Sequence, residues 1–171
     1  MKTKPTKPVA LLAALLFTLC TVGSSCALDP HWETPPNIKP GSERPANQAL
    51  NTLTEMLAAF ESGEIAGTAK IEASIEPSMI GLTLLLRAIQ DAHAHQQSIR
   101  IHLADINIKA NNDSVIITCR WEKRFLTQDA RAASHVVPHL VKGDATFIFK
   151  LGGKQWKLSG ISSPNPFNSG L

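Results

Sequence analysis

A polar cluster near the middle of the chain has residue types that could carry out acid–base chemistry: Asp91, His93 and His95. In a helix, side chains four residues apart are neighbours, so the Asp91 carboxylate and the His95 imidazole would lie side by side and could share a proton. The alternative is a solvated helix end, where histidines interact favourably with the helix dipole. Because the spacing matches no catalytic motif, the sequence favours the solvated helix end.

A second candidate base is Asp105, which lies where the alternation of apolar residues changes phase. If its carboxyl group pointed into an apolar pocket beside Trp121, burial would raise its pKa, as a general base at neutral pH requires. The alternative is a surface residue at a bulge. The weak catalytic candidates are thus Asp91, His93, His95 and Asp105.

Metal and cofactor chemistry is not favoured by the spacing of the residues that would supply it. His93 and His95 lie two apart on a predicted helix, where their side chains point about 200° apart and cannot easily share one ion. Gly152 and Gly153 join two predicted strands rather than a strand and a helix, which is unlike a phosphate-binding loop. The sequence therefore predicts no metal and no cofactor.

Four aromatic residues in the second half of the chain are candidates for lining a ligand pocket. They occupy alternate positions of predicted strands, so each strand presents them on the face that turns away from solvent. Large aromatic side chains at such positions form the core first and line a pocket second. The predicted pocket residues are Trp121, Phe147, Phe149 and Trp156.

The elements that position these residues begin with helices. Apolar residues at steps of three and four predict a helix over residues 46–62. A shorter helix is expected over 64–73, although Gly67 weakens that prediction. A third helix is expected from about Met79 to Gln96, with Ser78 as its N-cap and a first half that is largely buried. The apolar stripe of the first helix is formed by Leu50, Leu53, Leu57 and Phe60.

After residue 98 the apolar period changes to two, which predicts strands. The phase shifts by one residue near Ala104 and Asp105, as expected for a bulge. Further strands are expected over 115–124, over 135–137 ended by a proline, over 145–151 and over 155–161. On the strand over 115–124, a charged row either docks an acidic partner or forms a solvated face. That row consists of Arg120, Glu122 and Arg124.

Residues 1–26 have the three parts of a secretory signal peptide. Lysines at positions 2, 4 and 7 precede an apolar run over 9–22, and small residues follow. The apolar run is shorter than the roughly 20 residues that a membrane-spanning helix needs. The sequence therefore predicts that the protein is exported. The signal peptide is followed by a proline-rich spacer over 27–45, a domain over 46–167 and a tail over 168–171.

The segment Gly23-Ser24-Ser25-Cys26 resembles the cleavage box of bacterial lipoproteins, in which the cysteine receives lipid. This resemblance predicts lipidation at Cys26; ordinary cleavage after Ala27 is the alternative. Since Ala27 is not the aspartate that the lipoprotein sorting pattern uses for inner-membrane retention, we expect an outer-membrane lipoprotein that faces the periplasm. Without lipid, the protein would be soluble in the periplasm or secreted.

Charge and cysteine usage limit the partners further. Beyond residue 26 the chain has 14 Lys and Arg and 14 Asp and Glu, so it has no excess positive charge for nucleic acid. The basic isoelectric point therefore comes from the N-terminus. Cys119 is expected to be a small buried residue within a strand rather than a nucleophile.

Three segments resemble the nuclear-transport-factor-2-like (cystatin-like, SnoaL-like) superfamily, which includes ketosteroid isomerase and scytalone dehydratase. They are Leu57–Glu64, the strand pair over 105–125, and Gly153–Ile161 with its Trp-containing strand. The resemblance covers residues 46–167 and implies an α+β domain, with N-terminal helices on a strongly curved antiparallel sheet and a pocket between them. The isomerases use a tyrosine donor, and this chain has no tyrosine, so that site is not carried over.

These observations together favour a small-molecule-binding or protein-assembly module in the cell envelope. One alternative is a small isomerase or hydrolase that uses a cavity Asp or His as base, and another is a structural envelope protein. The expected partners are the membrane, through the lipid anchor, and a small apolar ligand or an envelope protein. A homodimer that forms through the sheet is a further expectation, and nucleic acid is excluded.

Overall fold

The computed structural model describes residues 36–38, 40–129 and 132–168. The expected signal peptide, the lipidation site Cys26 and most of the expected spacer lie outside this part of the chain. In the part that is described, no helix has both the length and the apolar character needed to span a bilayer.

Within the described residues, three helices precede a series of long strands. The strands form one sheet in chain order, antiparallel throughout except that the first pairs in parallel with the second. The predicted α+β class, with N-terminal helices on an antiparallel sheet, is confirmed. The elements are β1 (Asn37–Ile38), α1 (Glu43–Ser62), α2 (Ile65–Ala73), α3 (Leu82–His95), β2 (Gln97–Ala110), β3 (Ser114–Asp129), β4 (Ala132–Gly152) and β5 (Gln155–Ile161).

Regular structure begins before the expected boundary at residue 45. Strand β1 pairs in parallel with Asn107 and Ile108 of β2. Helix α1 starts at Glu43, and Pro45 lies in its first turn, where the missing N–H costs nothing. Gly63 ends the helix in the left-handed conformation, with φ 65°. The predicted apolar stripe of α1 is buried.

Gly67, which weakened the prediction of α2, is the point at which α2 approaches α1. A Cβ atom at this position would lie 2.4 Å from the carbonyl oxygen of Ala59. The absence of a side chain therefore permits close packing of the two helices, and this offsets the poor helix propensity of glycine.

Helix α3 begins later than predicted. Its N-cap is Gly81, with φ 83°, so the assignment of Ser78 as N-cap is wrong. The expected burial of the first half is also wrong, because Ile80 is 98% exposed and Leu84 is 70% exposed. Sequence pattern alone did not distinguish an apolar helix face from an apolar loop that precedes the helix.

The predicted bulge is confirmed. The register of β2 against β3 shifts between Ala104 and Asn107, and Asp105 has φ 52°. The extra residue explains why the apolar phase changes there, since side chains on a strand alternate between its faces.

Strand β4 joins the predicted 135–137 and 145–151 segments into one long strand, and Pro138 does not end it. Pro138 pairs with Leu126 of β3, whereas β5 pairs with β4 only over Phe147–Gly152. A proline is tolerated where one edge of the strand has no partner, because the missing N–H then breaks no ladder hydrogen bond.

The core fills the space between the helices and one face of the sheet, which we call the inner face. The C-terminal segment (Ser162–Asn168) also contributes to it, because the Phe167 side chain is completely buried. Its ring lies edge-on to Phe60 at 5.3 Å and to Phe147 at 6.5 Å, measured between ring centroids.

Candidate functional site

His93 is half-buried and serves to join helices. Its Nε2 donates a hydrogen bond to the carbonyl oxygen of Phe60 at 2.9 Å, and its ring stacks on the Phe60 ring at 5.1 Å. Nδ1 lies 3.5 Å from the Thr68 hydroxyl. Both ring nitrogens of His93 therefore contact neighbouring helices, so this residue has a structural role in joining them.

The structure does not form the Asp–His pair that the helical spacing suggested. His95 is exposed, and its Nδ1 donates to the backbone carbonyl of Asp91 at 2.8 Å rather than to the carboxylate. His93 and His95 border a cavity of about 360 Å³ together with Gln96 and Thr127, but Asp91 does not line it. The two histidines therefore have no carboxylate partner from Asp91 in this cavity.

Of the two alternatives for Asp105, a pocket base or a surface residue at a bulge, the structure shows the surface residue. Its side chain is 65% exposed and forms an ion pair with Arg120 of β3. The carboxylate therefore points to solvent rather than into the core beside Trp121. Across the described ranges, no three His, Cys, Asp or Glu side chains are grouped so as to hold a metal ion.

The four aromatic residues predicted to line a pocket lie in the core. Phe147 and Phe149 are completely buried and border none of the cavities described for this part of the chain. Trp121 reaches a cavity of about 240 Å³, and Trp156 reaches one of about 390 Å³, where its Nε1 donates to Gln48. The aromatic residues thus fill the interior rather than enclosing a space.

The largest described cavity, about 820 Å³, lies on the opposite, outer face of the sheet. Its floor comes from strand positions that alternate with the buried Phe147 and Phe149. Ile75 forms a bridge with Leu158 of β5, and Glu76 donates its N–H to the same residue at 2.8 Å. The following turn brings Ile80 to the rim. We call this cavity the outer groove, defined by Ile80, Ile148, Lys150, Leu151, Gly160 and Ile161.

Apolar side chains are unusually accessible along the outer groove. Ile80 is 98% exposed and Leu151 is 43% exposed. Nearby, Ile116 of β3 lies directly opposite Ile148 on the same face. This site could not be predicted from local sequence, because residues 75–80 are distant in sequence from the β4 and β5 residues that they meet. The available signal was the pair of isoleucines at positions where alternation predicts polar residues.

Charge is divided between the two layers of the domain. Residues 43–95, which contain the helices, have three Lys and Arg against seven Asp and Glu. Residues 97–161, which contain the sheet strands β2–β5, have ten against five. On the outer face, hydrogen bonds from Lys142 and Arg124 hold the pKa of Glu122 below its ordinary value. Even with these pairs, the sheet side of the domain is basic.

A buried lysine interrupts the inner face. Lys123 is in phase with Trp121 and Phe125 on β3, and its side chain is completely buried. Its Nζ lies 5.8 Å from the Phe60 ring centroid and 5.1 Å from that of Phe125, and it donates to the Asn168 carbonyl. Burial lowers the pKa of Lys123 to about 8. Lys123 was not among the predicted site residues, although its phase on the strand places it on the inner face.

Comparison with known proteins gives likenesses in structure and none in sequence. Neither a protein-family model nor a curated protein sequence matches the chain. A nuclear transport factor 2 (NTF2-like) superfamily protein from Salmonella enterica is 9% identical with a TM-score of 0.57, over 72% of this chain and 94% of that one. An NTF2-like protein from Cytophaga hutchinsonii is 14% identical with a TM-score of 0.50, over 66% and 91%.

A third structure carries a functional description of its own. It is a candidate dehydratase of the NTF2-like family from Streptomyces avermitilis, 18% identical with a TM-score of 0.50, over 70% of this chain and 94% of that one. At such identities the likeness concerns the fold alone, because one fold hosts many unrelated functions. The fold that the three sequence segments implied is confirmed.

Proposed function

Since the domain has the nuclear-transport-factor-2-like fold, we propose that it is a binding module that holds an apolar, acidic segment of another protein in the outer groove. The observation that carries this proposal is the contrast between the two sides of the sheet. The inner side is filled by core side chains. The outer side has an open groove of about 820 Å³ with Ile80 and Leu151 exposed at its margin.

The shape of the groove favours a protein segment over a small molecule. Small-molecule sites enclose most of their ligand, whereas this groove is open along one face of the sheet. Exposed apolar side chains that line a continuous surface are typical of sites for partner segments. Isomerase or hydrolase chemistry has less support, because His93 and His95 hydrogen-bond to backbone carbonyls and Asp105 pairs with Arg120.

The charge of the sheet side favours an acidic partner over a second copy of this chain. Lys150 and the acidic Glu76 lie in the groove, and Lys157 lies beside it, opposite Lys150 on β5. Two copies that met through this face would bring two basic surfaces together, and like charges across an interface oppose association. A partner with carboxylates beside its apolar residues would meet no such repulsion.

We further propose that the domain acts in the cell envelope, anchored by lipid on Cys26. The charged, apolar and small-residue parts of the first 26 residues support this placement. Mass spectrometry of the mature protein should show acyl chains on Cys26, and Cys26→Ser should release the protein into the soluble fraction. An unmodified N-terminus at Leu28 would contradict the lipid anchor and leave the groove proposal intact.

The groove proposal is tested by placing a photo-reactive benzoylphenylalanine at Leu151 in the full chain, in cells that produce the protein. Val136 is the matched control, because it lies on the same strand, is 52% exposed and borders no part of the groove. We expect a discrete adduct with a different protein from position 151 and none from position 136. An adduct of twice the chain mass would show a second copy instead. That result, or labelling from position 136 alone, would refute the proposal.

A further inference from the structure

The edge of β5 that faces away from β4 is covered over only part of its length. Residues 74–76 run alongside it, where the Leu158 N–H donates to the Ser74 carbonyl at 2.9 Å and the Glu76 N–H donates to the Leu158 carbonyl at 2.8 Å. Leu158 therefore directs both of its backbone polar groups away from β4. Because helix α2 ends at Ala73, the residues before Ser74 are helical and do not continue this pairing.

Trp156 presents the same backbone groups to an open space. The directions of N–H and C=O alternate along a strand, so a residue two positions from Leu158 directs its own groups to the same side. The pairing of β5 with β4 is regular here, with Trp156 opposite Leu151 and Leu158 opposite Phe149. Among the described residues, no hydrogen bond occupies the Trp156 N–H or carbonyl on that side. This stretch therefore has the unpaired donor and acceptor of an exposed strand edge.

The space in front of Trp156 is the cavity of about 390 Å³ between α1, the end of α2 and the β4–β5 turn. The side-chain oxygen of Gln48 accepts the hydrogen bond from Trp156 Nε1 at 3.2 Å, which fixes the Gln48 amide and leaves its N–H groups free to donate. The cavity thus offers neutral donors and acceptors that suit a peptide group. We call it the strand-edge pocket, defined by Gln48, Asn51, Ser74, Lys154, Trp156 and Lys157, and it shares no lining residue with the outer groove.

The lining of the strand-edge pocket carries an excess of positive charge. Lys70 pairs with Glu55 at 3.4 Å, so these two lining residues offset each other. Lys154 and Lys157 also line the pocket, and within the described ranges neither forms an ion pair. Since the Glu76 carboxylate lies near the Lys157 side chain, we expect Lys154 to contribute more. A carboxylate that entered the pocket would be attracted by this charge.

We propose that the strand-edge pocket binds the free C-terminal end of a peptide. The last peptide group of the ligand pairs with the N–H and carbonyl of Trp156, as an added strand pairs with a sheet edge. Its terminal carboxylate lies towards Lys154, which is two residues, or about 7 Å, further along the edge. A lipid headgroup or an inorganic anion would leave the Trp156 groups unpaired, whereas a peptide end uses both features. This site does not depend on the function proposed for the outer groove.

The test compares two probes that differ only at the terminus, acetyl-trialanine with a free carboxylate and acetyl-trialanine amide. Each is titrated into the full chain while proton–nitrogen NMR correlation spectra record the backbone amides. We expect the Trp156 amide signal to shift on binding. The free acid should bind at least fivefold more tightly than the amide, because the carboxylate alone forms a charge-assisted contact with Lys154.

Lys154→Met should remove this preference, so that the free acid binds no more tightly than the amide. Lys109→Met is the matched control, because Lys109 is exposed on β2, three strands away from β5, and should change neither affinity by more than twofold. A preference that survives Lys154→Met, or signal shifts centred on Gly160 and Ile161 of the outer groove, would overturn the inference. Equal binding of the two probes by the parent chain, or no binding of the free acid, would also overturn it.

Discussion

The inner and outer faces of the sheet differ in which of their residues depart from the expected pattern. On the inner face the side chains are apolar and buried, and the exception is a lysine, Lys123. On the outer face they are largely polar or charged, and the exceptions are isoleucines, among them Ile116 and Ile148. The alternation of a strand explains the ordinary residues of both faces, whereas the outer isoleucines form part of the apolar surface on which the proposed binding groove depends.

The largest expected effect compares neighbouring residues on the two faces of β4. Phe147→Ala removes a completely buried ring, and we expect a loss of about 3–5 kcal/mol in the free energy of unfolding. Ile148→Thr keeps a branched side chain on the outer face and should cost less than about 1 kcal/mol. Urea denaturation of both variants measures the difference. Equal losses would mean that the outer face belongs to the core.

Two glycines provide a second comparison of the faces. A Cβ atom at Gly143 would lie 2.9 Å from the Trp121 ring, so Gly143→Ala should cost about 1–3 kcal/mol through overpacking. At Gly160, in the outer groove, the nearest atom would be 3.5 Å away, and Gly160→Ala should change stability by less than about 0.5 kcal/mol. Thermal unfolding measures both. A destabilising Gly160→Ala would show that the groove floor is more tightly packed than described.

The two buried titratable groups of β3 should have opposite effects on the pH dependence of stability. Burial lowers the pKa of Lys123 from 10.5 to about 8, so between these values the unfolded state binds more protons and stability rises with pH. Burial, with a smaller contribution from the charge of Asp144, raises the pKa of Cys119 from 9.0 to about 12, so stability falls over that range.

The effect of Lys123 is therefore unopposed only from about pH 8 to 9. Over this range it should raise the free energy of unfolding by about 1 kcal/mol. Lys123→Met should abolish this rise relative to the parent chain, and Cys119→Ala should abolish the fall above about pH 10.5. Urea denaturation across this pH range measures both changes. A Lys123→Met variant whose pH dependence equals that of the parent would place the lysine in water.

The smallest expected effect concerns the bulge on β2. Asp105→Asn removes the exposed ion pair with Arg120, and such pairs contribute little, so stability should change by less than about 0.5 kcal/mol. Asparagine also tolerates the positive φ of this position. Asp105→Val should cost more, because a branched residue is strained there. If the two variants unfold at the same temperature, the backbone at residue 105 is not constrained as described.

The parts of the fold that depend on local pattern could be predicted from sequence. The phase change at Asp105 predicted the bulge, and the stripe through Leu50 and Phe60 predicted the buried face of α1. The start of α3 could not be predicted well, because the apolar residues before Gly81 resemble helix positions. Pro138 suggested a strand end, but it lies in the part of β4 that β5 does not reach. Whether a proline is tolerated there depends on how distant strands pair, which local sequence does not show.

The sites depend on packing between distant segments, and this limited what sequence could predict. The outer groove requires residues 75–80 to lie beside β5, which no local pattern indicates. Lys123 was accessible to sequence reasoning through its phase on β3, but the Asn168 carbonyl that accepts its hydrogen bond was not. His93 and His95 were candidates because imidazole can act as an acid or a base, but in the structure both donate hydrogen bonds to backbone carbonyls.

The central claim is that the outer groove, rather than other exposed apolar residues, binds a partner protein. Ile80 in the groove and Ile65 on α2 are matched for a direct test, because they are 98% and 92% exposed and neither supports the core. The measurement is the yield of chemically cross-linked partner complex recovered from cells with the full chain. We predict that Ile80→Asp lowers this yield at least tenfold and Ile65→Asp leaves it unchanged. Equal yields from both variants, or a loss with Ile65→Asp alone, would contradict the account.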